Sequence, residues 1–428
     1  MGKKLLLIGQ GGREHALAWK LAQSPEIDKI YAAPGNPGIA EIAECIPIKV
    51  EDIDKLLDFA QKKAIDLTVV GPEVPLMAGI VDRFQAGGLK IFGPSAAAAR
   101  LEGSKVFAKN LFKKYGIPTA EYTVCDKLDD AYACARSFTE KGKAVVIKAD
   151  GLAAGKGVVV AQSWNEAAQA IDSMIKELSF GKAGEQIVIE ECLTGEEVSF
   201  FAISDGQGFV SLLAAQDHKR IFDHDEGPNT GGMGAYSNPP VYTPELHQIV
   251  IEKVIKPVIK AMAAEGCPYR GVLYAGLMVT AEGPKVLEFN ARFGDPETQV
   301  LMPMLKGDLF PLLEAAAQGN LHDYQMAIEE GSCVGVVLAS AGYPAAYEKG
   351  KTISGLDILE NDTLVFHAGT ARNDRVLLTD GGRVMAVVAR GRNIAEAIDK
   401  VYQEVGKVSF EGMYYRKDIA SKAVSRKE

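Results

Sequence analysis

Lys4-Leu5-Leu6-Leu7-Ile8-Gly9-Gln10-Gly11-Gly12-Arg13-Glu14 carries a short apolar run into a glycine loop, and helical spacing follows from Arg13 to Ala22. A run this short, β-rich and ended by glycine reads as a strand buried in a parallel sheet. Leu67 to Val70 repeats the signature, and Lys29 to Ala33 and Leu89 to Phe92 read as companion strands. Ile53 to Lys62 and Leu76 to Gln85 have helical spacing between them. This β-α-β-α order predicts an open parallel sheet with helices on both faces. Each strand ends in a Gly- and Pro-rich loop: Gly9 to Gly12, Pro34-Gly35-Asn36-Pro37-Gly38, Gly71-Pro72-Glu73 and Gly93-Pro94. Loops beyond the carboxyl ends of such strands are where these sheets bind ligands.

Working outward, the pattern changes after about Gly103. A helix is expected over Ser104 to Tyr115, then strands at Ala144 to Lys148, Gly157 to Ala161 and Gln186 to Glu191, with a helix from Trp164 to Lys176. Glu197 to Ser204, a Gly-rich stretch from Asp223 to Gly234 and a helix from Pro244 to Ala264, interrupted by Pro257, come next. Gly271 to Thr280 and Lys285 to Phe289 read as a hairpin. The last hundred residues are β-rich, closed by a helix from Ile394 to Val405. With no internal repeat and no long polar linker, the domains should pack tightly. A prior of ~150 residues per domain fits three in a chain of 428.

Apolar residues make up 47% and charged residues 24%, so a chain dominated by disorder is excluded. A net charge of −9, with no basic cluster beyond short pairs, argues against a nucleic-acid or anionic-membrane surface. The apolar run after Lys3-Lys4 is too short for an export signal, and no stretch is long enough for a membrane span. The six cysteines are scattered, without a CxxC pair, as reduced thiols of a cytoplasmic protein would be. Glycine is over-represented, with 44 residues that no repeat accounts for, and the excess is expected in functional loops.

The first glycine loop fails the dinucleotide test, because Glu14 stands at its third glycine position and no acid closes the second strand. It can still turn backbone N–H groups toward a phosphate or carboxylate. Asp150-Gly151-Leu152-Ala153-Ala154-Gly155-Lys156-Gly157 fails the Walker test, with three residues between glycines and Gly157 after the lysine. A plain hairpin turn would not need Lys148 and Lys156 among glycines. A cationic flap that closes over a triphosphate accounts for them.

In Glu288-Phe289-Asn290, period-2 alternation puts the carboxylate and the amide on one face. Two oxygen ligands beside a phosphate suit Mg²⁺. Arg292-Phe293-Gly294-Asp295-Pro296-Glu297 then crowds a cation and two carboxylates into a turn. Gln216-Asp217-His218-Lys219-Arg220 and Asn229-Thr230-Gly231-Gly232-Met233-Gly234 form a further polar, Gly-rich cluster, from which His218 is not nominated as a base.

In order, these pieces resemble the ATP-grasp ligases: the flap 150–157, a hinge at Glu190-Glu191-Cys192-Leu193, Glu197, and Glu288-x-Asn290. Gly9 to Ala16, Gly71-Pro72-Glu73, Asp217-His218-Lys219, Asn229 to Gly234 and Glu288 to Glu297 narrow the resemblance to the phosphoribosylamine–glycine ligase family of purine biosynthesis, over nearly the whole chain. The resemblance implies an α/β fold in three parts. These are an amino-terminal open parallel α/β domain (1–103), a central ATP-grasp domain (104–328) with a mobile lid at about 122–192, and a small β-rich carboxy-terminal domain (329–428) packed on it. The length is that expected of a single-activity form.

The implied reaction joins glycine to 5-phosphoribosylamine: ATP phosphorylates the glycine carboxylate and the amine displaces phosphate. ATP is expected at Lys105, Lys148, Gly151, Gly155, Lys156 and Gly157, with the hinge at Glu190 and Cys192 on adenine and Glu197 on ribose. Glu288 and Asn290 would hold Mg²⁺, with Mn²⁺ the alternative ion. Arg292, Asp217, Lys219 and Asp295 are expected at the chemistry. Gly11, Gly12, Asn36, Pro37, Gly38, Glu73, Asn229, Gly294 and Glu297 are expected to bind substrates. Many ATP-grasp enzymes have a further carboxylate on the strand before the metal pair; Ala275-Gly276-Leu277-Met278 has none, which favours one protein-held ion. A monomer without nucleic-acid or membrane partners is expected. The rival readings are a related carboxylase or formate-dependent transformylase, and a nucleotide sensor without catalysis.

Overall fold

Five parallel strands form the amino-terminal sheet of the computed structural model, which describes residues 2–151, 157–176, 186–322 and 324–425. Their order is Glu44–Cys45, Ile27–Pro34, Lys3–Gly9, Leu67–Val70, Ile91–Phe92. Lys3–Gly9 is central because both its faces are apolar: Leu6 and Ile8 enter one core cluster, Leu5 and Leu7 the other. The topology reverses between Lys3–Gly9 and Leu67–Val70, so their loops, Gly9 to Gly12 and Gly71 to Glu73, lie side by side at the switch point. The helix expected over Leu76 to Gln85 is two short ones, Glu73–Met77 and Ile80–Ala86, parted by Gly79 at φ +83°. Leu89 to Phe92 pairs only at Ile91–Phe92, and a helix not anticipated, Ala96–Gly103, precedes Lys105–Tyr115.

The next unit is a four-stranded antiparallel sheet in the order Tyr122–Cys125, Ile187–Glu191, Val145–Ala149, Val158–Ala161. It packs its own apolar cluster, including Ile147 and Ile189, against Leu128–Thr139 and Trp164–Ile171. Trp164–Ile171 gives way to a wider π turn at Asp172–Lys176. A similar π turn, Ile251–Ile255, leads into Lys256–Ala264, where Pro257 lacks the N–H that a continuous α-helix would use.

The large sheet runs Gly283–Asn290, Arg270–Thr280, Glu196–Asp205, Phe209–Asp217, Gly234–Ser237, Ser332–Ser340, Arg383–Gly391, Leu364–His367. The carboxy-terminal region was expected as a small β-rich domain packed on the central one. Its strands continue the central sheet, because Gly234–Ser237 pairs with Ser332–Ser340 and satisfies backbone groups an edge would leave open. Residues from all three regions of the chain are thereby brought to the carboxyl end of the amino-terminal sheet. Among the described residues no helix is long and apolar enough to cross a membrane, and all six cysteines are free thiols.

Candidate active site

Antiparallel pairing of Val145–Ala149 with Ile187–Glu191 sets Lys148 and Glu190 near one another. The Glu190 carboxylate takes the Lys148 ammonium at one oxygen and that of Lys109, from helix Lys105–Tyr115, at the other. Lys109 and Glu190 are each 2% exposed and Lys148 is 6% exposed, so the triad is dry. Two cations against one anion leave a buried positive excess, which a phosphate would offset. Burial pushes the Lys109 ammonium down, with Glu190 opposing and Lys148 adding to the shift. Lys148 Nζ also reaches the Leu287 carbonyl at 3.4 Å, next to Glu288.

Lys105 opens its helix behind the Ser104 cap and donates from Nζ to the Gly151 carbonyl at 3.0 Å. Asp150 accepts from Ser104 Oγ at 3.2 Å and from the Val106 N–H at 3.0 Å, so the start of the flap is tied to this helix N-terminus. Burial lowers the Lys105 pKa; Glu288 opposes that shift and Lys148 adds to it, so the two lysines and the metal-ligand candidate share one field. Gly157 rejoins the sheet, its carbonyl accepting from Ala149 N–H at 2.8 Å. Gly155 and Lys156 lie outside the described residues.

On Gly283–Asn290, Phe289 turns into the core against Phe112 while Glu288 is exposed on the other face, which it shares with Asn290. Among the described residues Glu288 has no ion-pair partner, and no group of three or more His, Cys, Asp or Glu could hold a metal. A hard-oxygen pair of this kind fits Mg²⁺ completed by substrate phosphates.

Lys219 lies between two carboxylates, Glu197 Oε2 at 2.6 Å and Asp217 Oδ1 at 3.0 Å. Burial raises Asp217 to about 6; Lys219 opposes this, and Glu297 and Glu197 reinforce it. Glu197, expected on ribose, is therefore held by Lys219, whose charge lowers its pKa. Cys192 follows the hinge strand Ile187–Glu191, and burial pushes its thiol up. Asn229 is exposed at the end of a two-stranded ribbon, opposite Arg220.

Arg292 joins the two ends of the site. Its Nε meets Glu73 Oε2 at 3.3 Å and its Nη2 meets Glu102 Oε1 at 3.2 Å, while Glu102 Oε2 accepts the Ala291 N–H at 2.7 Å. Burial, Arg292 and Arg13 act on Glu73, and the cations prevail, lowering its pKa. Glu73 is also the first residue of Glu73–Met77, so both the site reading and the helix-terminus reading describe its position. Gly11 lies against Asp295: a Cβ there would be 3.4 Å from Asp295 Oδ2.

Several residues expected at the substrate are held by other groups of the protein. Asn36 spends its whole amide, with Nδ2 donating to the Gln10 and His367 carbonyls (2.8 Å each) and Oδ1 accepting from Gly38 and Ile39 N–H (2.9 Å each). It ties loops together and has no capacity left for substrate. Gly38 is buried against His15 and His367, and Pro37 is half-buried beside it. Gly12 packs on Gln299, where a Cβ would come within 2.6 Å of Nε2. Glu297 is 2% exposed and accepts from Tyr274 OH at 2.6 Å and Ser199 Oγ at 3.2 Å. Gly294 is glycine because a Cβ would fall 2.4 Å from Glu297 Oε2.

Glu102 and Arg383 escaped sequence reading. Arg383 reaches Asp295 from the carboxy-terminal region, with Nη1 3.2 Å from Oδ1 and 2.9 Å from the carbonyl. No local motif marks either residue.

Three family patterns match the chain in order: phosphoribosylglycinamide synthetase N domain over residues 3–102, its ATP-grasp (A) domain over 103–298, and its C domain over 333–422. The chain belongs to the phosphoribosylglycinamide synthetase family. Glu73 falls in the synthetase N domain, the lysine triad with Glu288 and Arg292 in the ATP-grasp domain, and Arg383 in the C domain, so the site draws on all three. The phosphoribosylamine–glycine ligase of Halalkalibacterium halodurans is 51% identical over 423 residues, 99% of this chain and 98% of that protein. That of Escherichia coli is 51% identical over 430 residues, 99% and 100% of the two chains. The crystal structure of the Thermotoga maritima phosphoribosylamine–glycine ligase superposes with a TM-score of 0.83 at 36% identity, covering 97% of this chain and 100% of that one. Biotin carboxylase of Campylobacter jejuni shares the fold, with a TM-score of 0.76 at 15% identity over 99% and 95% of the chains.

Proposed function

We propose that this protein is the ATP-dependent ligase that joins glycine to 5-phosphoribosylamine in purine biosynthesis, releasing ADP and phosphate. One observation carries the reading: a buried cation excess at Lys109, Lys148 and Glu190 adjoins Glu288, which has no ion-pair partner among the described residues, and Arg292 follows just beyond the end of the Glu288 strand. In the first step a glycine carboxylate oxygen attacks the γ-phosphorus, forming glycyl phosphate and ADP. The amine nitrogen of phosphoribosylamine then attacks the glycyl carbon, the C–O bond to phosphate breaks, and phosphoribosylglycinamide is released.

Lys105, Lys148 and the backbone at Gly151 and Gly157 hold the triphosphate, and the hinge at Glu190 to Cys192 holds adenine. Gly155 and Lys156 complete the flap, as their sequence context implies. Glu288 and Asn290 would hold Mg²⁺, which offsets phosphate charge when bound; Mn²⁺ suits the same oxygens. Asp217 and Asp295 accept the glycine ammonium, and Lys219 holds Asp217 and Glu197 in place. Arg292, oriented by Glu73 and Glu102, supplies positive charge beside the reacting carboxylate. Glu73 and the backbone at Gly11 meet the amine substrate, and Asn229 borders the glycine side. The division 1–103, 104–328 and 329–428, a lid at about 122–192, a monomeric cytoplasmic enzyme and the absence of nucleic-acid partners belong to the same proposal.

ADP release with ATP and Mg²⁺ tests it. Dependence on both glycine and phosphoribosylamine is expected. Dependence on formate or bicarbonate would place the chain with its relatives, and no turnover would make it a sensor.

A further inference from the structure

Arg383 is the first residue of strand Arg383–Gly391, and its side chain crosses to two loops distant in sequence. Nη1 donates to the Gly231 carbonyl at 2.8 Å and the Asp295 carbonyl at 2.9 Å, approaches the Gly232 carbonyl at 3.4 Å, and pairs with Asp295 Oδ1 at 3.2 Å. Tyr343, also carboxy-terminal, accepts the Gly231 N–H on its hydroxyl at 2.9 Å. Both polar backbone groups of Gly231 are therefore held by side chains of one region. The packing leaves little slack: a Cβ on Gly231 would be 3.0 Å from Arg383 Cζ, and one on Gly232, at φ +111°, 2.4 Å from Pro296 Cδ. Asp295 Oδ1 also accepts from Gln299 Nε2 at 2.8 Å, and its other oxygen faces Gly11.

We propose that Arg383 and Tyr343 form a positioning clamp by which the carboxy-terminal region fixes the Gly231–Gly232 turn and the Asp295 carboxylate for ligation. The inference rests on the ligase reading above. Neither residue is assigned to the reacting atoms; each acts through the groups it holds. Charge-assisted bonds lock an acceptor more firmly than neutral ones, and small misplacements of a reacting geometry cost rate steeply. The groups around Asp295 are Arg383, Arg13 from the first helix, Arg292 and Gln299, with Glu14 and Glu297 the nearby acids. Burial works to raise its pKa and the three arginines, Arg383 foremost, hold it below the usual carboxylate range.

The test uses full-length Arg383→Met, Arg383→Lys and Tyr343→Phe. For Arg383→Met we expect kcat to fall on the order of 10–100-fold and KM for glycine to rise, with the Kd for ATP alone unchanged. Arg383→Lys, which keeps the charge, should return kcat and the KM for glycine toward wild type. Tyr343→Phe should speed hydrogen exchange at the Gly231 amide at least tenfold. Wild-type kcat and KM for glycine in Arg383→Met would overturn the clamp, as would equal loss of ATP affinity. If Arg383→Met does not fold, a wild-type Gly231 exchange rate in Tyr343→Phe overturns it alone. A wild-type enzyme without glycine-dependent turnover overturns the ligase reading, whereas the exchange measurement still judges the clamp.

Discussion

Replacing Glu190 by Gln keeps the shape of the side chain and removes the anion that pairs with two buried ammoniums, those of Lys109 and Lys148. Breaking a buried ion pair by neutralising one partner costs about 3–5 kcal/mol. At ~2–4 °C per kcal/mol for a unit of this size, the apparent Tm should drop by about 6–20 °C without nucleotide. The protein can relieve the cost by shedding protons, and burial already lowers the Lys109 pKa. A lysine whose folded pKa is depressed leaves the unfolded chain binding more protons between the two pKa values. Stability of the variant should therefore rise with pH from the depressed value up to ~10.4, narrowing the gap to wild type. ATP brings its own negative charge, so it should stabilise the variant more than it stabilises the wild type. Scanning calorimetry at pH 7 and 9.5, with and without ATP and Mg²⁺, measures all three effects. An unchanged Tm, or an ATP shift no larger than in wild type, would refute the reasoning.

Glu288→Gln should raise the Mg²⁺ concentration for half-maximal rate and cut turnover severely; wild-type activity at limiting Mg²⁺ would oppose the metal assignment. Glu73→Ala should raise KM for phosphoribosylamine and leave ATP binding alone near wild type, whereas loss of thermal stability with unchanged KM would return Glu73 to a helix-terminus role. Asp217 is raised to about 6, so activity needing its anion should fall as pH drops through 6, and Asp217→Asn should lose that limb. The proton Asp217 takes up in the folded state contributes stability below its unfolded pKa, lost as pH rises from ~4 to about 6. His15 and His367, lowered by burial to about 3 and about 4, should stay neutral from pH 5 to 8, so an NMR titration showing either protonating near 6.5 would contradict their packing.

Much of the fold was legible because the decisive elements are locally patterned. Leu5 to Ile8 in Lys3–Gly9 and Leu67–Val70, broken only by Thr68, are short runs whose length and closing glycines mark strands buried on both faces. Glu288 and Asn290 could be placed on one face because strand alternation is a local rule. The helix Ala96–Gly103 was missed because four successive alanines show no period, and Glu102 was lost with it. Asn36 and Glu297 were assigned by residue type and motif, yet their bonds depend on partners such as His367 and Tyr274, far along the chain. Arg383 has no local signature at all; its place depends on the pairing of Ser332–Ser340 with both Gly234–Ser237 and Arg383–Gly391.

The central claim is that glycine is activated as an acyl phosphate. Glycine labelled with ¹⁸O in its carboxylate tests this directly, by the ³¹P isotope shift of the phosphate released when ATP and phosphoribosylamine are present. The account predicts that each phosphate carries one oxygen from glycine, because the carboxylate attacks phosphorus and the later break is between carbon and oxygen. Turnover that releases phosphate without the label would contradict it.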